Sequence, residues 1–380
     1  MIEKQTNNKN TITKKKSNKI YEFSAPLPFD FEKIDKMAEL NKSLKKSQIV
    51  TLFNNIPPID GLNFNEWIQV QRGKKTDAIK TFDDFSKYVN YAKEKGFHFV
   101  YLMNSPKALS ASDFEPLKNS FINLLDYLEN LECKDIKFAN TQIPTLIEEY
   151  KPGVFSYNSS TASEYHTISQ YDYLIKKFSN LEIINVANDE IFNFKFLKQL
   201  RKKYPDKKFE IMVNEPCLRG CPARSTHIAS GLFARFRCLE IKKKLGVVYA
   251  FFKSGFVYPW HLKYYRKIGI NNFKFSAYPS SRYNFQLENM IQYLQILENG
   301  VENYTANDFL EGVYASNSFF VNVFKEMDEN IKLADIIPYM PDIKYFLKNG
   351  HKCTYNCETD CDYCKQCANK FKENFLKNNK

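Results

Sequence analysis

Short apolar runs alternate with amphipathic stretches along the 380-residue chain, which predicts strands separated by helices. Eight runs read as strands, over residues 49–53, 98–103, 135–139, 153–157, 182–186, 209–213, 248–252 and 272–275. Residues 83–95, ending at Gly96, and residues 112–131 and 193–203 read as helices between them. Eight strands at this spacing predict an α/β protein with a (β/α)8 barrel of the TIM type over residues 46–282. A basic tail at 1–20 that remains disordered and an extension at 21–45 precede it. A helical appendage at 283–350, opening with a helix over 283–299, and a cysteine-rich knuckle with a basic tail at 351–380 follow it. The connection after the sixth predicted strand, residues 214–245, is unusually long. Long loops at the C-terminal ends of barrel strands are where barrel enzymes carry their chemistry.

That long connection also holds cysteines. Cys217, Cys221 and Cys238 form one group, and Cys353, Cys357, Cys361, Cys364 and Cys367 form a second, leaving Cys133 alone to pack as a small apolar residue. Residues 1–20 are polar and lysine-rich without the apolar core of a signal peptide, which predicts a cytoplasmic, reducing setting. There, clustered thiols favour iron–sulfur or zinc ligation over disulfides. All eight grouped cysteines are candidate metal ligands. Three thiols do not complete an all-cysteine tetrahedral site, so the first group needs a ligand from elsewhere, and the C-terminal group is the candidate source. For the C-terminal thiols a zinc knuckle stands beside one or two 4Fe-4S clusters as the alternative. The spacing of Cys357, Cys361 and Cys364 matches the triplet of radical S-adenosylmethionine enzymes, yet no barrel follows it, so position argues against that reading.

The net charge of +12 is concentrated in the lysines of 1–20 and 368–380. Such tails add nonspecific affinity for polyanions. No apolar run approaches about 18 residues, so no membrane span is predicted. The five histidines, His98, His166, His227, His261 and His351, fall in no HExxH pattern, and no GxSxG is present, so a peptidase mechanism has no residue signature here. Asn104, Asn140, Asn188, Asp189, Asn214 and Glu215 follow successive predicted strands, as polar groups of a barrel mouth or as turn and cap residues. Arg224 is a candidate for binding an anionic substrate and His227 for donating a proton or a non-cysteine ligand, while bracing of the loop is the competing role for both. Glu164, His166, Arg235 and Arg237 have weaker claims.

The segment 214–224, NEPCLRGCPAR, followed by His227, resembles the signature of collagenase-like proteins grouped as peptidase family U32. Similarity extends over roughly residues 46–367, including 96–104, 135–140, 157–162, 253–259 and 269–274. The resemblance implies a barrel with a cysteine-bound 4Fe-4S cluster. It further implies an oxygen-independent hydroxylase or related oxidoreductase acting on a small molecule such as a quinone precursor, or on an RNA base, with Asn214, Glu215, Arg224 and His227 in the catalytic region. A partner subunit is a further expectation. Two alternatives stay open: an RNA-associated protein whose cluster or zinc is purely structural, and a collagenase-like peptidase. The chain departs from the family at Pro259-Trp260, where Pro-Glu is usual, and at Ala277-Tyr278, where Gly-Arg is usual, which implies a different substrate.

Overall fold

The computed structural model describes residues 20–57, 78–225, 244, 246–276, 287–314, 327–348, 353 and 359–376. Eight parallel strands close into a barrel: β1 (Tyr21–Pro26), β2 (Ser47–Asn54), β3 (His98–Met103), β4 (Asp135–Phe138), β5 (Ser156–Ser159), β6 (Leu181–Asn185), β7 (Lys208–Met212) and β10 (Asn272–Lys274). Two further strands among the described residues, β8 (Asn214–Leu218) and β9 (Ser254–Phe256), pair antiparallel outside the barrel. No helix among the described residues is long and apolar enough to cross a membrane.

Two expectations are corrected. The barrel begins at β1, within the segment read as an extension. Tyr21, Phe23 and Ala25 are buried, and β1 closes the ring by pairing with both β2 and β10. Residues Val247–Phe252 form a helix, not a strand. Five of its six side chains are buried, and a fully buried apolar run of this length has the same pattern in either conformation. The cysteine-bearing connection consequently follows the seventh barrel strand rather than the sixth.

Local chemistry explains smaller shifts. The strand expected at 153–157 starts later, at Ser156, because Gly153 takes a left-handed conformation in the turn before it. The helix expected over 112–131 divides at Pro116, whose missing N–H interrupts the hydrogen-bond ladder, and its long part is Lys118–Asn130. Helix Phe82–Glu94 begins at a capping box between Thr81 and Asp84. It buries Phe85, Val89 and Ala92 at helical spacing, with Phe85 edge-on to Phe99 and Tyr101. Burial of one such large side chain contributes about 1.5–3 kcal/mol.

Helix Leu287–Asn299 packs back on the barrel wall. Tyr293 donates its hydroxyl hydrogen to the Val257 carbonyl at 2.7 Å, and the Glu298 carboxylate accepts from the backbone amides of Lys45, Lys46 and Ser47. The C-terminal helix Tyr363–Phe375 packs on Val247–Phe252, with Phe371 edge-on to Phe252 at 5.6 Å. That contact brings the second cysteine group to the β8–β9 hairpin.

Candidate functional site

Above β7, Val257 N donates to Val213 O at 2.8 Å and Arg219 N to Lys253 O at 3.1 Å, which holds the β8–β9 hairpin over the barrel mouth. Asn214 uses both ends of its amide on Ser276, accepting at 2.7 Å and donating at 3.1 Å, so it clamps the hairpin to the chain just after β10. Pairing is irregular between Glu215 and Leu218, where Cys217 sits. Gly255 is required opposite: an added Cβ would lie 1.8 Å from Asn188 Oδ1. Asn188 is itself 2% exposed, and neither its Oδ1 nor its Nδ2 has a hydrogen-bond partner among the described residues.

A chain of alternating charges crosses this mouth. Arg224 is buried, donates from Nε to Glu164 Oε1 at 2.6 Å and pairs through Nη2 with Glu215 Oε2 at 3.0 Å. Burial would raise the Glu215 carboxyl, but the Arg224 charge and the Cys217 amide, at 3.0 Å, hold it below the usual range. Glu164 takes the left-handed region at φ 51°, uncommon for a residue with a side chain, and its other oxygen lies 3.6 Å from His166 Nε2. His166 Nδ1 in turn lies 3.6 Å from Glu190. Glu164 first and Glu190 second push the imidazole up to about 10, so His166 is a cation at neutral pH. Burial raises the neighbouring Asp189 carboxyl even though Gly220 N donates to it at 2.8 Å.

The thiols divide between this mouth and the docked C-terminal helix. Cys217 is buried, and burial, followed by the nearby Glu215 charge, pushes its thiol well up. Cys221 is near enough to add to the effect. Between them in sequence, Arg219 reaches the other way: Nη2 donates to Phe252 O at 3.0 Å and lies 3.5 Å from Cys364 Sγ, while the guanidinium covers the rings of Phe192 and Phe346. Cys367 is raised by burial and shares a hydrogen bond with Tyr363, and Cys361 lies 3.7 Å from Tyr345 Oη. Cys353 is half-buried. Cys133 is buried beneath a helix away from the mouth, its thiol pushed up to about 12. Cys238, Cys357, His227, Arg235 and Arg237 lie outside the described residues.

These donors are free thiols that are buried or half-buried, the ligand type that thiophilic metals take. Among the described residues no three of His, Cys, Asp and Glu gather as a metal-holding group.

A second buried charge cluster was not singled out in the sequence. Lys137, Glu210 and Lys274 lie inside the barrel, each flanked by two apolar residues, in the patterns Ile-Lys-Phe, Phe-Glu-Ile and Phe-Lys-Phe. Charge alternating with buried apolar positions is a legible signal for inward-facing polar groups.

No family model matches the chain. An uncharacterized protease of Methanocaldococcus jannaschii is 26% identical over 279 residues, covering 67% of this chain and 76% of the relative. The likeness supports a U32 family assignment. A solved U32 peptidase matches with a TM-score of 0.43 at 13% identity, over 69% of this chain and 94% of that one. An N-acetylneuraminate lyase from Fusobacterium nucleatum gives 0.37 at 13% identity, over 94% and 99%. In this chain Glu215 and Arg224 of the cysteine loop are joined directly, and Asn214 is taken up by the hairpin clamp.

Proposed function

We propose that this protein is an iron–sulfur-dependent oxidoreductase of the U32 type, carrying out an oxygen-independent hydroxylation or related redox modification of a small molecule or an RNA base. The observation that carries the reading is the contact of Arg219, which lies between Cys217 and Cys221, with Cys364 of the second cysteine group, beside the paired charges of Arg224 and Glu215. Cys217 and Cys221 would hold the centre, with Cys238 and a thiol of the C-terminal group as further ligands. When bound, a cluster supplies electron transfer or an iron site open to substrate.

The chain's own residues do the positioning. Arg224, engaged by Glu164 and Glu215, fixes the hairpin rather than reaching for substrate. His166 carries a proton at the mouth, 37% exposed at its side chain, and presents it to a substrate oxygen or base nitrogen. Asn188 offers an amide that can accept and donate in a buried setting, which orients a planar polar group.

Absorption spectra of anaerobically prepared protein test the proposal: a broad visible band that bleaches with dithionite is expected, and its loss on Cys217→Ala. The name borne by the Methanocaldococcus relative favours a second reading, proteolysis. Metal-independent cleavage of gelatin by the same preparation, with no visible band, would establish that reading instead.

A further inference from the structure

Three neighbouring helices of the barrel wall form a face that the mouth chemistry does not use. Helices Ile168–Lys177, Phe194–Lys203 and Leu262–Arg266 stand side by side, with the ring of Tyr171 5.7 Å from that of Phe196 and the ring of Phe194 5.0 Å from that of Tyr265. Their charges are nearly all positive. Phe194–Lys203 carries five cations and no carboxylate, Leu262–Arg266 with the adjoining Lys267 carries three and none, and Ile168–Lys177 has two lysines beside Asp172. Asp172 is already engaged, by Lys176 at 2.8 Å, by Lys203 at 3.0 Å and by the Tyr204 hydroxyl at 2.6 Å. The helices across the barrel differ: Phe31–Ser43 balances three lysines with three carboxylates, and Phe82–Glu94 has two lysines against three.

Lys195, Lys198 and Lys202 are separated by three and four residues, so they project from one side of their helix over about 10 Å. Each is exposed, and none has an ion pair or side-chain hydrogen bond among the described residues. No carboxylate one turn away on the same helix offsets them. On the neighbouring helix Tyr173 is 54% exposed, and Lys177 Nζ donates to its hydroxyl at 3.0 Å and lies 5.5 Å from its ring centroid. Both helices start at the mouth. His166 directly precedes Thr167, the cap of one, and Asn193, the cap of the other, donates at 2.7 Å to Glu190, the partner of His166.

We infer that this face docks an RNA strand, whose phosphates lie along Lys195, Lys198 and Lys202 and one of whose bases stacks on Tyr173, next to the stretch that reaches the mouth beside His166. Ammonium groups set in line without competing carboxylates match a phosphate backbone. An exposed ring flanked by an ammonium matches a stacking base. A protein partner fits less well, because protein interfaces are poor in lysine and built on aromatic and apolar anchors, whereas Tyr173 is the one large apolar side chain largely exposed on this face. The inference rests on the proposed function for the fate of the strand at the mouth, where it selects RNA over a small molecule, while the docking itself uses no cysteine.

Fluorescence anisotropy of the full chain with a labelled oligouridylate of about 12 nucleotides, across roughly 50–200 mM salt, tests this. Saturable binding that weakens with salt is expected. Lys195→Gln, Lys198→Gln and Lys202→Gln together keep good helix formers in place. They should weaken binding about tenfold or more and lower the slope of log Kd against log salt by about 2, from roughly 0.7 per phosphate contact on a single strand. Tyr173→Ala should weaken binding roughly fivefold or more and leave the slope unchanged. Lys36→Gln, Lys42→Gln and Lys87→Gln together, on the far side of the barrel, should change neither quantity, which separates this face from the lysine-rich tails. No saturable binding, equal loss in the two triple variants, no loss in the first of them, or binding confined to oligodeoxythymidylate or to phosphatidylserine vesicles overturns the inference. Protein that binds through these lysines yet purifies anaerobically without iron and sulfide sinks the iron–sulfur reading and leaves the docking face standing.

Discussion

Arg219 Nη2 lies 3.5 Å from Cys364 Sγ, 145 positions along the chain, so a buried guanidinium from the cysteine loop meets the C-terminal helix. The same guanidinium is stacked on Phe192 and Phe346 and bonded to the carbonyl of Phe252. Arg219→Ala should destabilise the protein by about 2–4 kcal/mol, because several buried partners lose their donor at once. It should also make the segment after residue 348 sensitive to limited proteolysis. Urea unfolding and a trypsin time course check both effects, and a C-terminal segment as resistant as in the natural chain would contradict this role.

Arg224 joins two carboxylates, Glu164 from the turn after β5 and Glu215 on β8. Arg224→Ala should cost about 3–5 kcal/mol, the usual effect of breaking a buried ion pair from one side. Arg224→Lys should recover only part of this, since one ammonium lacks the planar fork that serves both partners. Denaturant midpoints of the two variants give the comparison, and full recovery by lysine would contradict it.

The fold was largely legible because barrel strands leave an apolar signature every few tens of residues. β3 falls at the residues expected for it, and β2, β4, β6, β7 and β10 shift by no more than two residues at either end. β1 was missed because its Glu-Phe-Ser-Ala-Pro run carries only a short alternation, and closure of the ring by pairing on both sides decides its conformation. Val247–Phe252 was misread because burial on every side erases periodicity. At the site, the cysteine loop and Arg224 were visible as a motif. The link through Glu164 was not, since it depends on a left-handed turn 60 residues earlier in the chain. The interior lysines stood in plain view between apolar neighbours, but which face a charge takes is settled only by the core on the other side.

His166 has a folded pKa raised from 6.5 to about 10 by Glu164 and Glu190. The native state thus holds this proton more tightly than the unfolded chain, and the resulting stability is fully present below about pH 6.5 and lost as pH rises through about 10. His166→Gln should lower the Tm at pH 6 and have a progressively smaller effect towards pH 10. Thermal unfolding of both proteins across that range is the check. A deficit that grew with pH would contradict the assignment.

Gly255 and Asn188 form a close packing pair, with room for no side chain at 255. Gly255→Ala should cost about 1–3 kcal/mol through overpacking. Asn188→Gly in the same chain should return a large part of that loss. Chemical denaturation of the single and double variants tests the coupling, and additive losses would show that the contact is not the cause.

The central claim, that the two cysteine groups serve one iron–sulfur centre at the barrel mouth, is tested most directly by quantifying iron and acid-labile sulfide per chain after anaerobic purification. The account predicts iron and sulfide in similar amounts in the natural protein, a marked loss of both in Cys217→Ala and in a chain ending at Asn349, and no change in Cys133→Ala. Protein that carried zinc without iron or sulfide, or a truncated chain that kept its full complement of iron, would contradict it.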